Sequence, residues 1–187
     1  LDIQVELFLI QQIYGTLFAV SNKIQTIGDT YFEDITSRQF MIMMAIIHLP
    51  EEEATIINIA KKLGTTKQSA RHLISSIESK GYVVAIPSLL DRRALNIKIT
   101  ESGKKVLLQC GERSIHFLAD LSRNFSKEEL EQLWTLLKKL YQFDGEKQEG
   151  FEENITIQMG DEQDEMTKKA MEEFTTRRNA QVPDSNS

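Results

Sequence analysis

Residues 66–72 read Thr-Lys-Gln-Ser-Ala-Arg-His, and Asp91-Arg92-Arg93 follows farther along the chain. This set holds no nucleophile paired with a base. It is a collection of hydrogen-bond donors and acceptors with fixed positive charge, and its chemistry is non-covalent recognition of an anionic polymer. A Gln68 amide can pair bidentately with adenine, and an Arg71 guanidinium with guanine N7 and O6. Thr66, Lys67 and Ser69, with the N-terminus of the helix they open, can hold phosphate. His72 either faces the same ligand or packs at the edge of the face.

The charge distribution agrees. The chain has 187 residues and a net charge of −6, which by itself argues against nucleic acid. Yet residues 56–105 carry ten basic side chains against three acidic ones, net +7. Residues 1–55 are net −6 and residues 144–187 net −7. Charges farther away than about 8–10 Å are largely screened at physiological salt, so a polyanion feels the basic middle rather than the total.

The elements that must position these groups follow from periodicity and punctuation. Ile3, Leu7, Ile10, Tyr14 and Leu17 have helical spacing, and Phe8, Ile13, Phe18 and Val20 widen the apolar surface beyond one stripe. Such a helix needs a cover, and a second subunit would supply it. Thr36 with Gln39 reads as a capping box for a second helix ending at His48 and Pro50. Thr55 caps a short third helix, 56–63, closed by Gly64. Thr66 caps a fourth, with Ala70, Leu73, Ile74 and Ile77 on its buried face and Lys67, Gln68, Arg71, His72 and Ser75 opposite. The period then changes to two: Tyr82, Val84 and Ile86 alternate, as do Leu95, Ile97 and Ile99, predicting a hairpin with a basic tip. Thr100 caps a fifth helix through Leu121. Ser126 and Glu129 form a second capping box for a sixth, with Leu130, Leu133, Trp134, Leu137, Leu140 and Tyr141 as core positions. Beyond Phe143 the chain is an acidic appendage in which Met166, Ala170 and Phe174 suggest a weak amphipathic helix. Its charge raises the hypothesis that it docks on the basic lobe and competes with the ligand.

Two helices joined by the tight turn at Gly64-Thr65 form a helix-turn-helix, and the hairpin makes it winged. The DNA major groove, about 12 Å wide, admits its second helix. The stretch LGTTKQSARHLISSIESKGYV (63–83), followed by LDRRALNIKITESG (90–103), resembles the MarR family of bacterial winged-helix transcription regulators. Lys80-Gly81-Tyr82-Val83, the wing motif Asp91-Arg92-Arg93 and the exit Ile99-Thr100-Glu101-Ser102-Gly103 carry the likeness. The resemblance covers residues 3–143 in element order. It implies a mainly α fold with a small β-hairpin wing. Residues 1–30 would be an N-terminal dimerisation helix, 31–104 the DNA-binding lobe, 105–143 C-terminal dimerisation helices and 144–187 a tail beyond the family's end. It implies a homodimer on a near-palindromic operator in double-stranded DNA, with the sign of a repressor. Arg93 becomes the minor-groove residue, Asp91 the organiser of the wing and Arg92 a phosphate contact. A narrow minor groove concentrates negative potential, which favours an inserted arginine. Residues 87–90, Pro-Ser-Leu-Leu, depart from the polar tip the family uses. The resemblance also implies a small aromatic or anionic effector, for which Tyr14, Phe18, Phe32, Phe40 and Met44 could line a pocket. Aromatic side chains at helical spacing are equally what any core uses.

Other classes fit less well. His48, His72 and His116 lack metal-ligand spacing, and there is no glycine-rich phosphate loop or nucleophile elbow, so neither an enzyme nor a cofactor is expected. Cys110, on the apolar side of its helix, reads as a buried inert thiol, and a single cysteine fits a reducing cytoplasm. A winged helix used for protein contact is the alternative, disfavoured because protein interfaces deplete lysine. The longest apolar run, residues 40–49, is half the length of a membrane span, so no membrane association is expected. No signal-peptide pattern opens the chain, and its first residue, leucine, implies that the native start is missing.

Overall fold

A computed structural model describes residues 2–88, 93–146, 151 and 160–180, with side chains of the last helix described from 168. Each helix from α1 to α6 starts at a side-chain cap. Asp2 Oδ1 accepts from the Gln4 amide at 3.0 Å and opens α1 (Ile3–Gly28). The Thr36–Gln39 capping box opens α2 (Ser37–Ile47), with His48 as C-cap. Thr55 opens α3 (Ile56–Lys62) and Thr66 opens α4 (Lys67–Ser79). β1 (Val83–Pro87) and β2 (Leu95–Ile99) pair antiparallel. Thr100 opens α5 (Glu101–Ser122), and the Ser126–Glu129 capping box opens α6 (Lys127–Tyr141). α7 (Gly160–Asn179) lies in the tail. This is the mainly helical, winged architecture expected from the sequence.

The core gathers the inner faces of α2, α3 and α4, the inner side of the hairpin and the first half of α5. Ile42, Met43, Ile59, Ile77, Ile97 and Leu107 are its largest fully buried side chains. Val106, Leu107 and Cys110 share this cluster, so the winged lobe draws α5 into its core beyond residue 104.

The hairpin corrects the predicted phase of β1. Val83 is 3% exposed and Val84 43%, so Val83 and Ala85 face inward, and Tyr82, Val84 and Ile86 do not form the inner row. The register explains it: Val83 sits opposite Ile99 and Ala85 opposite Ile97, and directly paired residues share a face. An all-apolar run such as Val83-Val84-Ala85-Ile86 carries no alternation from which to read the phase.

One helix departs from the core positions expected of it, and another shows the uncovered apolar surface expected of it. No residue of α6 is buried, so Leu133, Trp134, Leu137 and Leu140 are not core positions of this chain. Among the residues of α1 only Gly28 is buried, and Ile3, Leu7, Phe8, Ile10, Ile13, Tyr14 and Phe18 stand exposed. α1 also overturns the expectation that no segment is long enough to cross a bilayer. By length and composition its 26 residues are, with a mean hydropathy of 1.4 in its most apolar window. A search for uninterrupted apolar residues passes over it, because Gln4, Glu6 and the Gln11-Gln12 pair break the run without breaking the helix.

Candidate nucleic-acid interface

The turn between α3 and α4 depends on Gly64, whose φ of +59° lies in the left-handed region that favours glycine. The Thr65 amide closes the turn on the Ala60 carbonyl at 2.9 Å. Thr66 Oγ1 accepts from the Ser69 amide at 3.1 Å and donates to Ser69 Oγ at 3.0 Å. Its proton is thus engaged in the cap, while the Ser69 hydroxyl proton can still reach a phosphate. Ala70, Ile74 and Ile77 pin the inner face of α4 to the core, which turns the opposite face outward. Lys67, Gln68, Arg71 and His72 are exposed there, and Ser69 is half-buried.

The wing is fastened to the helix-turn-helix by backbone. The Ile97 amide donates to the Ala54 carbonyl at 2.8 Å, and Thr55 bridges to Asn96. Asn96 is buried, and its Nδ2 donates to the Glu51 carbonyl at 3.0 Å. Lys98 pairs with Glu51. Sequence reasoning missed this seam. An asparagine amid the alternating residues of β2 was the available signal, since a buried amide needs partners.

The consequence is a convergence. Lys67 and Arg71 from α4 and Arg93 from the hairpin loop just before β2 line one open cleft of about 200 Å³ with Thr55, Ile57 and Leu95. Three cations from two elements therefore meet on one surface. Other cations of the basic segment are taken up inside the chain. Lys80 Nζ donates to the Asp34 carbonyl at 2.6 Å, and Lys104 pairs with Glu101 at 2.6 Å. Lys61 pairs with Glu146 at 2.7 Å. Asp91 and Arg92, assigned to organising the wing and to phosphate, lie outside the described residues.

The residues considered for an effector pocket are not enclosed together within one chain. Tyr14 and Phe18 are exposed on α1. Phe32 and Phe40 pack against each other, centroids 5.0 Å apart, inside the core that Met44 borders. Cys110 is 4% exposed, and burial pushes its thiol up to about 11, against a weaker opposing pull from Arg113.

Residues 33–94, from the α1–α2 connector to the hairpin loop just before β2, match the model of the MarR family. The chain is 27% identical to MepR of S. aureus, solved as a DNA complex. That match covers 68% of this chain and 96% of MepR, with a TM-score of 0.61. It is 25% identical to a mutant MarR of E. coli complexed with operator DNA, covering 70% of this chain and 94% of that one, with a TM-score of 0.61. The organohalide-sensing RdhR transcriptional regulator, solved with 2,4-dichlorophenol bound, is 19% identical. It is covered to 79% by 71% of this chain with a TM-score of 0.63, a likeness of fold alone. The matched segment holds the same turn and recognition-helix face that build the cleft, and over it the chain is similar to the MarR family of winged-helix transcriptional regulators.

Proposed function

We propose that this chain is a cytoplasmic repressor that occupies a near-palindromic operator in double-stranded DNA as a homodimer. The observation that carries the reading is the convergence of Lys67, Arg71 and Arg93 on one cleft beside the exposed face of α4. Helix entry into the major groove and arginine insertion into the adjacent minor groove both require such an arrangement. Gln68, Arg71 and His72 read bases. Lys67, Ser69 and Arg92 hold phosphate with the helix N-terminus that Thr66 caps, Arg93 enters the minor groove and Asp91 orients the wing. The DNA complexes of MepR and MarR support this reading. The uncovered apolar faces of α1 and α6 support a second copy as the partner. The fold is that of transcription regulators rather than enzymes.

The test is binding to labelled random-sequence and genomic duplexes across a salt series. A dimer making 6–10 phosphate contacts loses about 10³–10⁵ in affinity between 50 and 200 mM salt. Arg71→Ala should cost about 1–3 kcal/mol and relax preference at one base pair, whereas uniform weakening would assign Arg71 to phosphate. A folded dimer that binds no duplex at any salt would move the reading to a winged helix for protein contact. A small aromatic or anionic effector is a second layer of the proposal. The exposed rings of Tyr14 and Phe18 favour it, and the dichlorophenol-bound RdhR offers the precedent within the fold. Phe32, Phe40 and Met44 would form the inner wall. Release of DNA by a chlorophenol or an aromatic acid would test it.

A further inference from the structure

α7 lies beyond the stretch that resembles the family. Earlier in the tail Glu146 pairs with Lys61 at 2.7 Å and the Phe151 ring lies 5.2 Å from Lys62 Nζ, both on α3, whereas the described residues of α7 lie elsewhere. α7 packs along α5. Ala170, 1% exposed, is its buried contact point. Around it Glu173 pairs with His116, Arg177 Nη2 donates to Asp120 Oδ2 at 3.1 Å, and Arg178 Nη2 donates to the Phe125 carbonyl at 2.7 Å.

Asp120 is shared by three parts of the chain. Besides Arg177 of α7, it accepts from Arg123 beside it at 2.5 Å and from Tyr31 Oη at 2.7 Å. Tyr31 belongs to the connector, residues 29–36, that carries the chain from α1 into the winged lobe. Its ring lies 5.2 Å from that of Phe117 on α5. A second tie, Arg113 to Glu33 at 2.8 Å, joins the same two segments. Burial pushes the Asp120 carboxyl up, but the hydrogen bonds from Tyr31 and Arg177 and the two guanidinium charges outweigh it and hold the group below its ordinary value. The ionised form, which can accept all three bonds, is therefore the one favoured.

The first half of α5 belongs to the core of the lobe, so packing ties the two together. The open variable is the angle at which α1 leaves them, and the connector sets it. We propose that α7 is a brace. Through Arg177, Asp120 and Tyr31 it fixes that angle, and the chain binds DNA more tightly with α7 docked than with α7 released. In a dimer held through α1 the same angle sets the separation of the two recognition helices, so the inference rests on the proposed DNA-binding reading. A state already in the binding geometry loses no affinity to the fraction of molecules outside it.

The experiment uses the full-length chain and two variants, Arg177→Ala and Ala170→Arg, the first removing one contact and the second dislodging the helix. Hydrogen exchange is followed at residues 29–36 and 168–180, and affinity for the duplex preferred by wild type is titrated across salt. The expected result is faster exchange in the connector and binding weaker by about 5- to 100-fold. The salt slope should stay unchanged, because the phosphate contacts are intact once bound. Arg177→Lys should restore part of both effects. Released α7 with unchanged or tighter DNA binding overturns the brace. If wild type binds no duplex, the functional reading fails instead, and the brace then stands or falls on connector exchange alone.

Discussion

Arg71 and Arg93 reach one cleft from two elements, and at the scale of single residues that is what a sequence shows least directly. Their types announced the chemistry; their meeting depended on the seam between Asn96 and residues 51–55. Cys110 is the opposite case. Its place on the apolar side of α5 was enough to predict burial, and the thiol is held at about 11 chiefly by desolvation. Thiolate is the reactive form, so raising the group from 9.0 to about 11 lowers its fraction at pH 8 by about 100-fold. Alkylation of native protein at pH 8 should therefore run about 100-fold slower than alkylation of the urea-unfolded chain. Mild peroxide should leave DNA binding unchanged. Rapid labelling of folded protein would contradict both the burial and the inert role.

At the scale of elements, the junction between wing and α5 rests on Gly103. Thr100 donates its amide to the Tyr82 carbonyl at 3.0 Å and its hydroxyl to the Gly81 carbonyl at 2.7 Å, drawing the first turn of α5 against the start of β1. A Cβ at position 103 would stand 2.0 Å from the Tyr82 carbonyl oxygen, so the backbone must part to admit it. Gly103→Ala should destabilise the fold by about 1–3 kcal/mol, read as a lower urea midpoint at unchanged slope. Gly111, in the same helix, has nothing within 4 Å of its would-be Cβ. Gly111→Ala should stabilise by about 0.5–1 kcal/mol through helix propensity. Opposite signs from one substitution in one helix separate close packing from backbone entropy. The glycine of the Ile-Thr-Glu-Ser-Gly motif was legible as a signature, but its reason was not, since Tyr82 is far from it in sequence. Helix starts were the most legible feature, because Thr36, Thr55, Thr66, Thr100 and Ser126 each act on amides within three residues. The phase of β1 was not, because a uniformly apolar strand takes its inner face from its partner.

At the scale of the whole molecule, α1 and α6 were read correctly as apolar, but nothing among the described residues covers them. α1 exposes Leu7, Phe8, Ile10, Ile13, Tyr14 and Phe18 at 50% or more each, and clustered exposed apolar side chains mark an interaction surface. Lipid and a second copy are the two covers that its length and composition permit. The second copy is favoured by α6, whose exposed Leu133, Trp134, Leu137 and Leu140 extend the apolar surface on a helix too short, at 15 residues, to cross a bilayer. Wild type should therefore sediment as a dimer at micromolar concentration and stay in solution when mixed with lipid vesicles. The double variant Leu7→Glu, Ile10→Glu should sediment as a monomer while the winged lobe keeps its unfolding transition, because both positions lie outside the buried core. Its DNA affinity should fall, and its salt slope should halve, since one recognition helix then contributes half the phosphate contacts. Flotation of wild type with vesicles would assign α1 to lipid. A monomeric variant with an undiminished slope would place all the phosphate contacts on a single lobe and remove the two-fold operator from the proposal.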